Sequence, residues 1–376
     1  MQTAGHTHEY YMQRALSLAR RAEGLTSPNP AVGAVIIKDG VIIGEGYHHR
    51  AGQPHAEVEA LRVAGNAAKD ATMYVTLEPC NHHGRTPACT EAIISAEIAR
   101  VVYAVGDPNP VVNGSGRDRL VAAGIDIHQG VCVDQAMHLN RFFFHHIRTG
   151  QPYVVAKFAM SLDGKIATYT GHSQWITGPE ARQKGHELRH QVDAILVGAG
   201  TAIADNPRLT TRLPENHSYD NISHPLRIVL DSQGRVPLDA QLFQPSLSGK
   251  TLVATTDAMS TSHRNALHQQ GVETIITTTT TKIKQVDLAE LFMFLGERSI
   301  QSVMVEGGGQ VLGSCFAAGL VNEVWAFVAP TIIGGENAPS PVGGSGFSSL
   351  TDAYQLQNTT IEQVGKDILI KGFTTT

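Results

Sequence analysis

Between His8 and Glu23 the apolar residues Tyr11, Met12, Ala15, Leu16 and Ala19 recur at the spacing of one helical face, which predicts an amphipathic opening helix. The period then changes. AVGAVII (31–37) and VIIGEGYH (41–48) are β-rich runs separated by Asp39-Gly40, a dipeptide that accepts the positive φ of a tight hairpin turn. Downstream, the pattern predicts a helix after His55, a strand over TMYVTL (72–77) and a helix near Glu91–Ile98. Strands over VVYAV (101–105) and near Gly124–His128 and a closing helix over Val133–His146 follow. This alternation predicts an α/β layered domain.

The Gly and Pro of RTGQP (148–152) separate that helix from the β-rich run YVVAKFAM (153–160), so a boundary near residue 150 divides the chain into 1–150 and 151–376. Further strands are predicted over AILVG (194–198), LRIVLD (226–231), TLVATT (251–256), VETIIT (272–277), SVMVEG (302–307), EVWAFVAP (323–330) and DILIKGF (367–373), with helices between most of them. The fold class is α/β in both halves. PENHSYDNISHP (214–225) reads as a surface loop and the threonine run 277–281 as a strand end.

A chain of 376 residues with 42% hydrophobic and 17% charged residues is long enough for two globular cores. Its formal net charge of −5 provides no global field for a phosphate polymer, so nucleic acid is not expected as a partner. The stretch MQTAGHTHEYYMQRALSLARRAEG has no continuous apolar core and no run is long enough to span a bilayer, so a cytoplasmic location without membrane association is expected. Cys80, Cys89, Cys132 and Cys315 are too unevenly spread for a disulfide framework, and Cys132 and Cys315, on apolar segments, are expected to be small buried residues. Composition leaves self-association into a homo-oligomer open.

The chemistry concentrates in HAE (55–57) and PCNHHGRTPAC (79–89). His55, Cys80 and Cys89 are three ligands of the kind catalytic zinc takes, leaving a fourth position for water. Cys80 is predicted at a strand end and Cys89 at a helix start after Pro87, where free N–H groups favour a thiolate. Glu57 is the candidate proton carrier. Positions i and i+2 of a regular helix face different sides, so His55 and Glu57 can meet only at the first turn. The competing reading is a closed structural zinc completed by His82 or His83, but such sites favour short, paired ligand spacings. The zinc-deaminase signature H-x-E…P-C-x-x-C is matched, except that eight residues separate Cys80 from Cys89.

That departure points to a family. HAE with PCNHHGRTPAC, SPNPAVGAVI (27–36) and DPNP (107–110) resemble the deaminase half of the fused pyrimidine deaminase–reductases of riboflavin biosynthesis, where a long loop between the cysteines is usual. Asn81, His83 and Ala88 stand where Ser, Tyr and Pro are commoner. KFAMSLDGKIA (157–167), TGHSQWIT (170–177), VGAGTAIADNPRLTTR (197–212), VEGGGQVLGS (305–314) and APTIIGG (329–335) resemble the reductase half, so the likeness spans nearly the whole chain. It implies a cytidine-deaminase-like three-layer domain followed by a dihydrofolate-reductase-like α/β domain, with zinc and NADPH as cofactors. The implied substrate is a small pyrimidine ribose phosphate. Hydrolysis removes the exocyclic amine of 2,5-diamino-6-ribosylamino-4(3H)-pyrimidinone 5′-phosphate, and reduction then converts the ribosyl chain to ribityl.

Carried over by this resemblance, Asn29, His48 and Arg85 would hold the pyrimidine and its phosphate. An Asn amide suits a ring edge and an Arg fork a phosphate, while Asn29 between two prolines also suits a plain turn and His48 a strand end. Ala159, Trp175, Thr201 and Asp205, with the loop Gly308, Gly309, Gln310, Val311, Leu312, Gly313 and Ser314, would contact NADPH. Ser173, Arg189, Leu209, Arg212 and Glu306 would contact substrate. Independently, Glu306-Gly307-Gly308-Gly309 follows a predicted strand and opens a helix, so its N–H groups can cradle a pyrophosphate. Lys157 and Asp205 are candidates for orienting the sugar or managing the proton that accompanies hydride transfer. The competing readings are Trp175 as core filler, Asp205-Asn206-Pro207 as a turn, and Arg189 and Arg212 as solvated cations. At the level of function, the alternatives are a nucleoside or nucleic-acid deaminase with a C-terminal binding module, which the acidic balance opposes, and a non-catalytic zinc scaffold.

Overall fold

The computed structural model describes residues 7–81, 88–109, 114–278 and 285–375. The chain forms two compact units, Met1–Gly150 with Asn216–Ile222, and Gln151–Glu215 with Ser223–Thr376.

In the first unit the elements run α1 (His8–Arg20), β1 (Gly33–Lys38), β2 (Val41–Tyr47), α2 (Ala56–Ala64), β3 (Thr72–Leu77), α3 (Cys89–Ser95), β4 (Arg100–Val105), α4 (Ser115–Ala122), β5 (Asp126–Gln129), α5 (Val133–Leu139) and α6 (Arg141–Thr149). The sheet order is β2-β1-β3-β4-β5, with β1 antiparallel to both neighbours and β3, β4 and β5 parallel. Asp39 and Gly40 turn the β1–β2 hairpin with φ of 51° and 78°, as the dipeptide predicts. Successive residues of β1 point to opposite faces. Val35 packs with Tyr11, Met12 and Leu16 of α1 on one side, while Ala34 and Ile36 pack with Ala56 and Ala60 of α2 and Ile93 of α3 on the other. The result is a three-layer α/β/α core.

Two local features differ from the sequence expectation, each with a physical cause. The helix predicted over Val133–His146 breaks at Asn140, whose carboxamide accepts from the Ala31 N–H at 2.7 Å and donates to the Ala31 carbonyl at 2.9 Å. The Asn140 N–H and carbonyl keep their helical bonds to Ala136 and Phe144, so the break lies in its φ of −106° and ψ of 23°, the conformation in which its carboxamide pairs with Ala31. Cys132 is half-buried rather than buried and caps α5 with φ 59°, while Cys315 is fully buried as expected.

In the second unit the elements are β6 (Tyr153–Ser161), α7 (Pro179–Gln191), β7 (Ala194–Gly198), α8 (Ala199–Asp205), β8 (Leu226–Leu230), β9 (Thr251–Thr255), α9 (Thr261–Gln269), β10 (Glu273–Ile276), α10 (Leu288–Glu297), β11 (Ser302–Glu306), α11 (Gly309–Ala317), β12 (Glu323–Ala329), β13 (Leu356–Val364) and β14 (Asp367–Thr374). Nine strands order as β10-β9-β8-β7-β11-β6-β12-β14-β13, parallel from β10 to β12 and antiparallel thereafter. The parallel strands are apolar runs such as Leu196, Ile228, Val303 and Val305, buried under Leu291 and Phe292 of α10 and Leu312 of α11. The edge strand β13 has no counterpart among the predicted elements, because it is mostly exposed and polar and gives no apolar period.

Candidate active sites

The first site is built around the start of α2, which packs on β1 and β2 and against α3. A Cβ on Gly46 of β2 would lie 2.4 Å from the Ala60 nitrogen and 2.6 Å from the Ala56 carbonyl oxygen, so only glycine lets α2 lie this close to the sheet. His55 is the N-cap of α2, with extended φ −77° and ψ 165°. It therefore escapes the i, i+2 divergence of a regular helix, and Glu57 in the first turn is buried on the same side, coupled to both cysteines. Cys80 lies three residues beyond Leu77, the last residue of β3, and so is in the connecting segment rather than at the strand end that its spacing predicts. Cys89 opens α3 as expected, and its N–H lies 3.5 Å from Cys80 Sγ.

His55 Nδ1 stands 3.2 Å from Cys89 Sγ and 3.6 Å from Cys80 Sγ, and the three ligand atoms all fall within 4.8 Å of one another. Hydrogen bonding from Cys89 first, and then from His55 and the Cys89 N–H, outweighs burial and brings the Cys80 thiol down to about 4. Cys89 shifts the other way, held protonated by the Cys80 thiolate and by burial. Burial, and then the Cys80 charge, push the Glu57 carboxyl up to about 7. A half-buried imidazole with two buried thiols fits the donor set of zinc. His48 donates from Nδ1 to the Pro54 carbonyl at 3.0 Å and accepts from Asn29 Nδ2 at 3.1 Å, and its ring meets that of His55 edge-on at 5.2 Å. Asn29 and His48 thus border the metal-ligand set. Arg85, His82 and His83 lie outside the described residues.

The second site is a cavity of about 1510 Å³ in the second unit. It is lined by Lys157, Ala159, Ser173, Trp175, Arg189, Thr201, Asp205, Leu209, Arg212 and Glu306, and by Gly308, Gly309, Gln310, Val311, Leu312 and Ser314 of the glycine loop. Gly313 is not in the lining; a Cβ there would lie 2.1 Å from the Gly343 carbonyl oxygen, so it packs against that backbone instead. Lys157 on β6 and Glu306 on β11 are register partners on adjacent strands. Glu306 accepts from Lys157 Nζ at 2.7 Å and from Arg189 at 2.6 and 2.9 Å. Burial pushes its carboxyl up, but the Arg189 and Lys157 charges outweigh that and hold it at about 2. Arg189 is therefore paired rather than solvated. Trp175 is 69% exposed, with the Arg182 guanidinium 4.6 Å from its ring, and so is not core filler. Ser173 donates to Asp205 at 3.2 Å, tying the 170–177 segment to the end of α8. Gly307 and Gly308 take φ of 107° and 79°, with Cβ positions 3.2 and 3.3 Å from Thr201, so glycine suits both the conformation and the close approach.

Several neighbours escaped sequence reasoning. Buried Glu78 accepts the N–H groups of Gly114 at 3.2 Å and Arg117 at 3.1 Å, anchoring α4 two residues before Cys80. His186, Ser232 and Arg235 also line the second cavity. For His186 a signal existed, since Arg182, His186 and Arg189 recur on one helical face.

Comparison with known proteins turns these two sites into a class of enzyme. Residues 6–105 match the cytidine and deoxycytidylate deaminase zinc-binding region, and residues 152–370 match the RibD C-terminal domain. Together with the layered fold, they define a cytidine-deaminase-like zinc domain joined to a reductase domain that uses NADPH. The riboflavin biosynthesis protein RibD of Escherichia coli K12 is 46% identical over 371 residues, covering 96% of this chain and 98% of that one. The structure of Acinetobacter baumannii RibD, form 1, superposes with a TM-score of 0.87 at 38% identity, covering 98% and 99% of the two chains. A Thermotoga maritima diaminohydroxyphosphoribosylaminopyrimidine deaminase/5-amino-6-(5-phosphoribosylamino)uracil reductase gives 0.84 at 35% identity, over 98% of each chain. The chain belongs to the RibD family: it is a bifunctional riboflavin-biosynthesis enzyme, deaminase and reductase, acting on a small pyrimidine.

Proposed function

We propose that the two reactions run at the two sites just described, each within its own unit. The first site removes the exocyclic amine of 2,5-diamino-6-ribosylamino-4(3H)-pyrimidinone 5′-phosphate, and the second reduces the ribosyl chain of the product to ribityl. The observation that carries this reading is the convergence of His55, Cys80 and Cys89 on one point beside buried Glu57.

In the first site His55, Cys80 and Cys89 would hold zinc, which when bound ionises a water near neutral pH. Glu57, buried beside the ligand set, takes that water's proton and delivers it to the departing ammonia. Asn29, with its amide fixed by His48, reads a pyrimidine edge, and Arg85 takes the phosphate. In the second site NADPH supplies the hydride. The N–H groups at the start of α11 and the glycine loop would hold its pyrophosphate, with Trp175, Thr201 and Ala159, which line the same cavity, beside it. Arg212 and Arg189 face the sugar phosphate, with Ser173, Leu209 and Glu306 completing the substrate side. Lys157 and Asp205 orient the sugar and manage the proton taken by its ring oxygen as the chain opens. Among the described residues no helix is long and apolar enough to cross a membrane, which together with the net charge of −5 supports a cytoplasmic enzyme that binds no nucleic acid.

Zinc analysis tests the metal assignment. We expect wild-type protein to carry one zinc, and Cys80→Ser and Cys89→Ser to lose most of it. Undiminished zinc in both variants overturns the ligand set.

A further inference from the structure

Helix α7 turns Arg182, His186 and Arg189 toward one cavity at intervals of four and three residues. Two of these are engaged: Arg189 with Glu306 at 2.6 Å, and Arg182 with the Thr177 carbonyl at 2.7 Å. Arg212, which also lines the cavity, differs. Its guanidinium donates only to the Thr210 hydroxyl, at 3.3 Å, so among the described residues no carboxylate bonds it. His186 supports it from behind. The Nδ1 of His186 accepts the backbone N–H of Arg212 at 3.3 Å, which places the ring proton on Nε2. That nitrogen has no protein partner among the described residues, in a ring that lines the cavity.

We propose that His186 is a substrate-positioning residue of the reductase: its Nε2–H donates to a phosphate oxygen of the sugar phosphate held by Arg212, while its Nδ1 fixes the backbone that carries Arg212. This rests on the reading of the cavity as the reductase site. The surroundings keep the ring in the neutral form this role needs. Burial, then the charges of Arg189 and Arg212, with a smaller contribution from Lys157, bring its pKa down to about 3 against an opposing pull from Glu306. A neutral donor adds direction where a further cation would repel its neighbours; burial and then Arg189 and Arg208 already depress Arg212 itself.

The two ring nitrogens can be tested apart. His186→Asn keeps an acceptor near the Nδ1 position and removes the outer donor, whereas His186→Gln keeps a donor near the Nε2 position. The assay is NADPH oxidation by the full zinc-loaded chain supplied with the already deaminated pyrimidine phosphate. We expect His186→Asn to raise KM for the pyrimidine about 10- to 100-fold, the loss of one hydrogen bond to a charged group, with kcat and KM for NADPH unchanged. His186→Gln should recover most of that loss. With the dephosphorylated riboside, His186→Asn and wild type should become equal. Should Asn disturb folding, His186→Ala, which removes both nitrogens, tests the two contacts together, with the same dependence on the phosphate expected. A wild-type KM in His186→Asn, a defect that persists without the phosphate, or one that falls on NADPH instead, overturns the proposal. No NADPH oxidation by the wild type overturns the reading of the cavity itself, before His186 enters.

Discussion

His55 reaches Cys80 and Cys89 from the position that caps its helix, with Glu57 buried in the first turn that follows, and that placement is what lets a His-x-Glu serve one metal site. Single-residue placement matters as much in the second unit, where Glu306 is held between Lys157 and Arg189. Its carboxyl lies at about 2, below the ordinary 4.5, so its contribution to stability is fully present above 4.5 and fades as pH falls toward 2. We expect denaturant unfolding of wild type and Glu306→Gln to differ most above pH 4.5, with the gap closing as pH falls toward 2. A gap that stays constant over that window contradicts the pairing. At this scale the sequence was legible wherever residue type alone limits the chemistry, as for His55, Cys80 and Cys89. It was silent on Glu78, whose importance lies in backbone N–H groups more than thirty residues away that no local pattern announces.

Elements were readable in proportion to their apolar periodicity. β3 and β7 occupy the predicted runs because each is a short β-rich run buried in a sheet. β13 was invisible because its polar, mostly exposed residues carry no period, and the helix after Val133 was read as one because nothing in its spacing shows that the Asn140 side chain pairs with Ala31. That junction supports the segment carrying Asn29 from two residues downstream. Removing it in Asn140→Ala leaves a buried N–H and carbonyl unpaired, at a cost of about 1–3 kcal/mol. We expect a lower unfolding midpoint and weaker deamination for this variant. Wild-type stability in thermal denaturation would show that the helix break is incidental.

On the scale of the molecule, the residues assigned to each reaction fall within one compact unit: Asn29, His48, His55, Glu57, Cys80 and Cys89 in the first, and Lys157 through Ser314 in the second. Each unit has its own buried core, which is the physical condition for two chemistries to be damaged separately. The inclusion of Asn216–Ile222 in the first unit was not legible, since it depends on partners such as Arg21, whose guanidinium meets Asp220 at 3.0 Å.

The most direct test is a crossed assay of two variants. Glu57→Gln should keep zinc and fold, lose about 10²–10⁴ in deamination rate because an amide cannot accept and return a proton, and still oxidise NADPH when given pre-deaminated substrate. Asp205→Ala with Arg212→Ala should do the reverse, releasing ammonia from the pyrimidine phosphate without oxidising NADPH. If folded, zinc-loaded Glu57→Gln cannot reduce the pre-deaminated substrate, the two sites are not independent, and the assignment of one reaction to each unit is wrong.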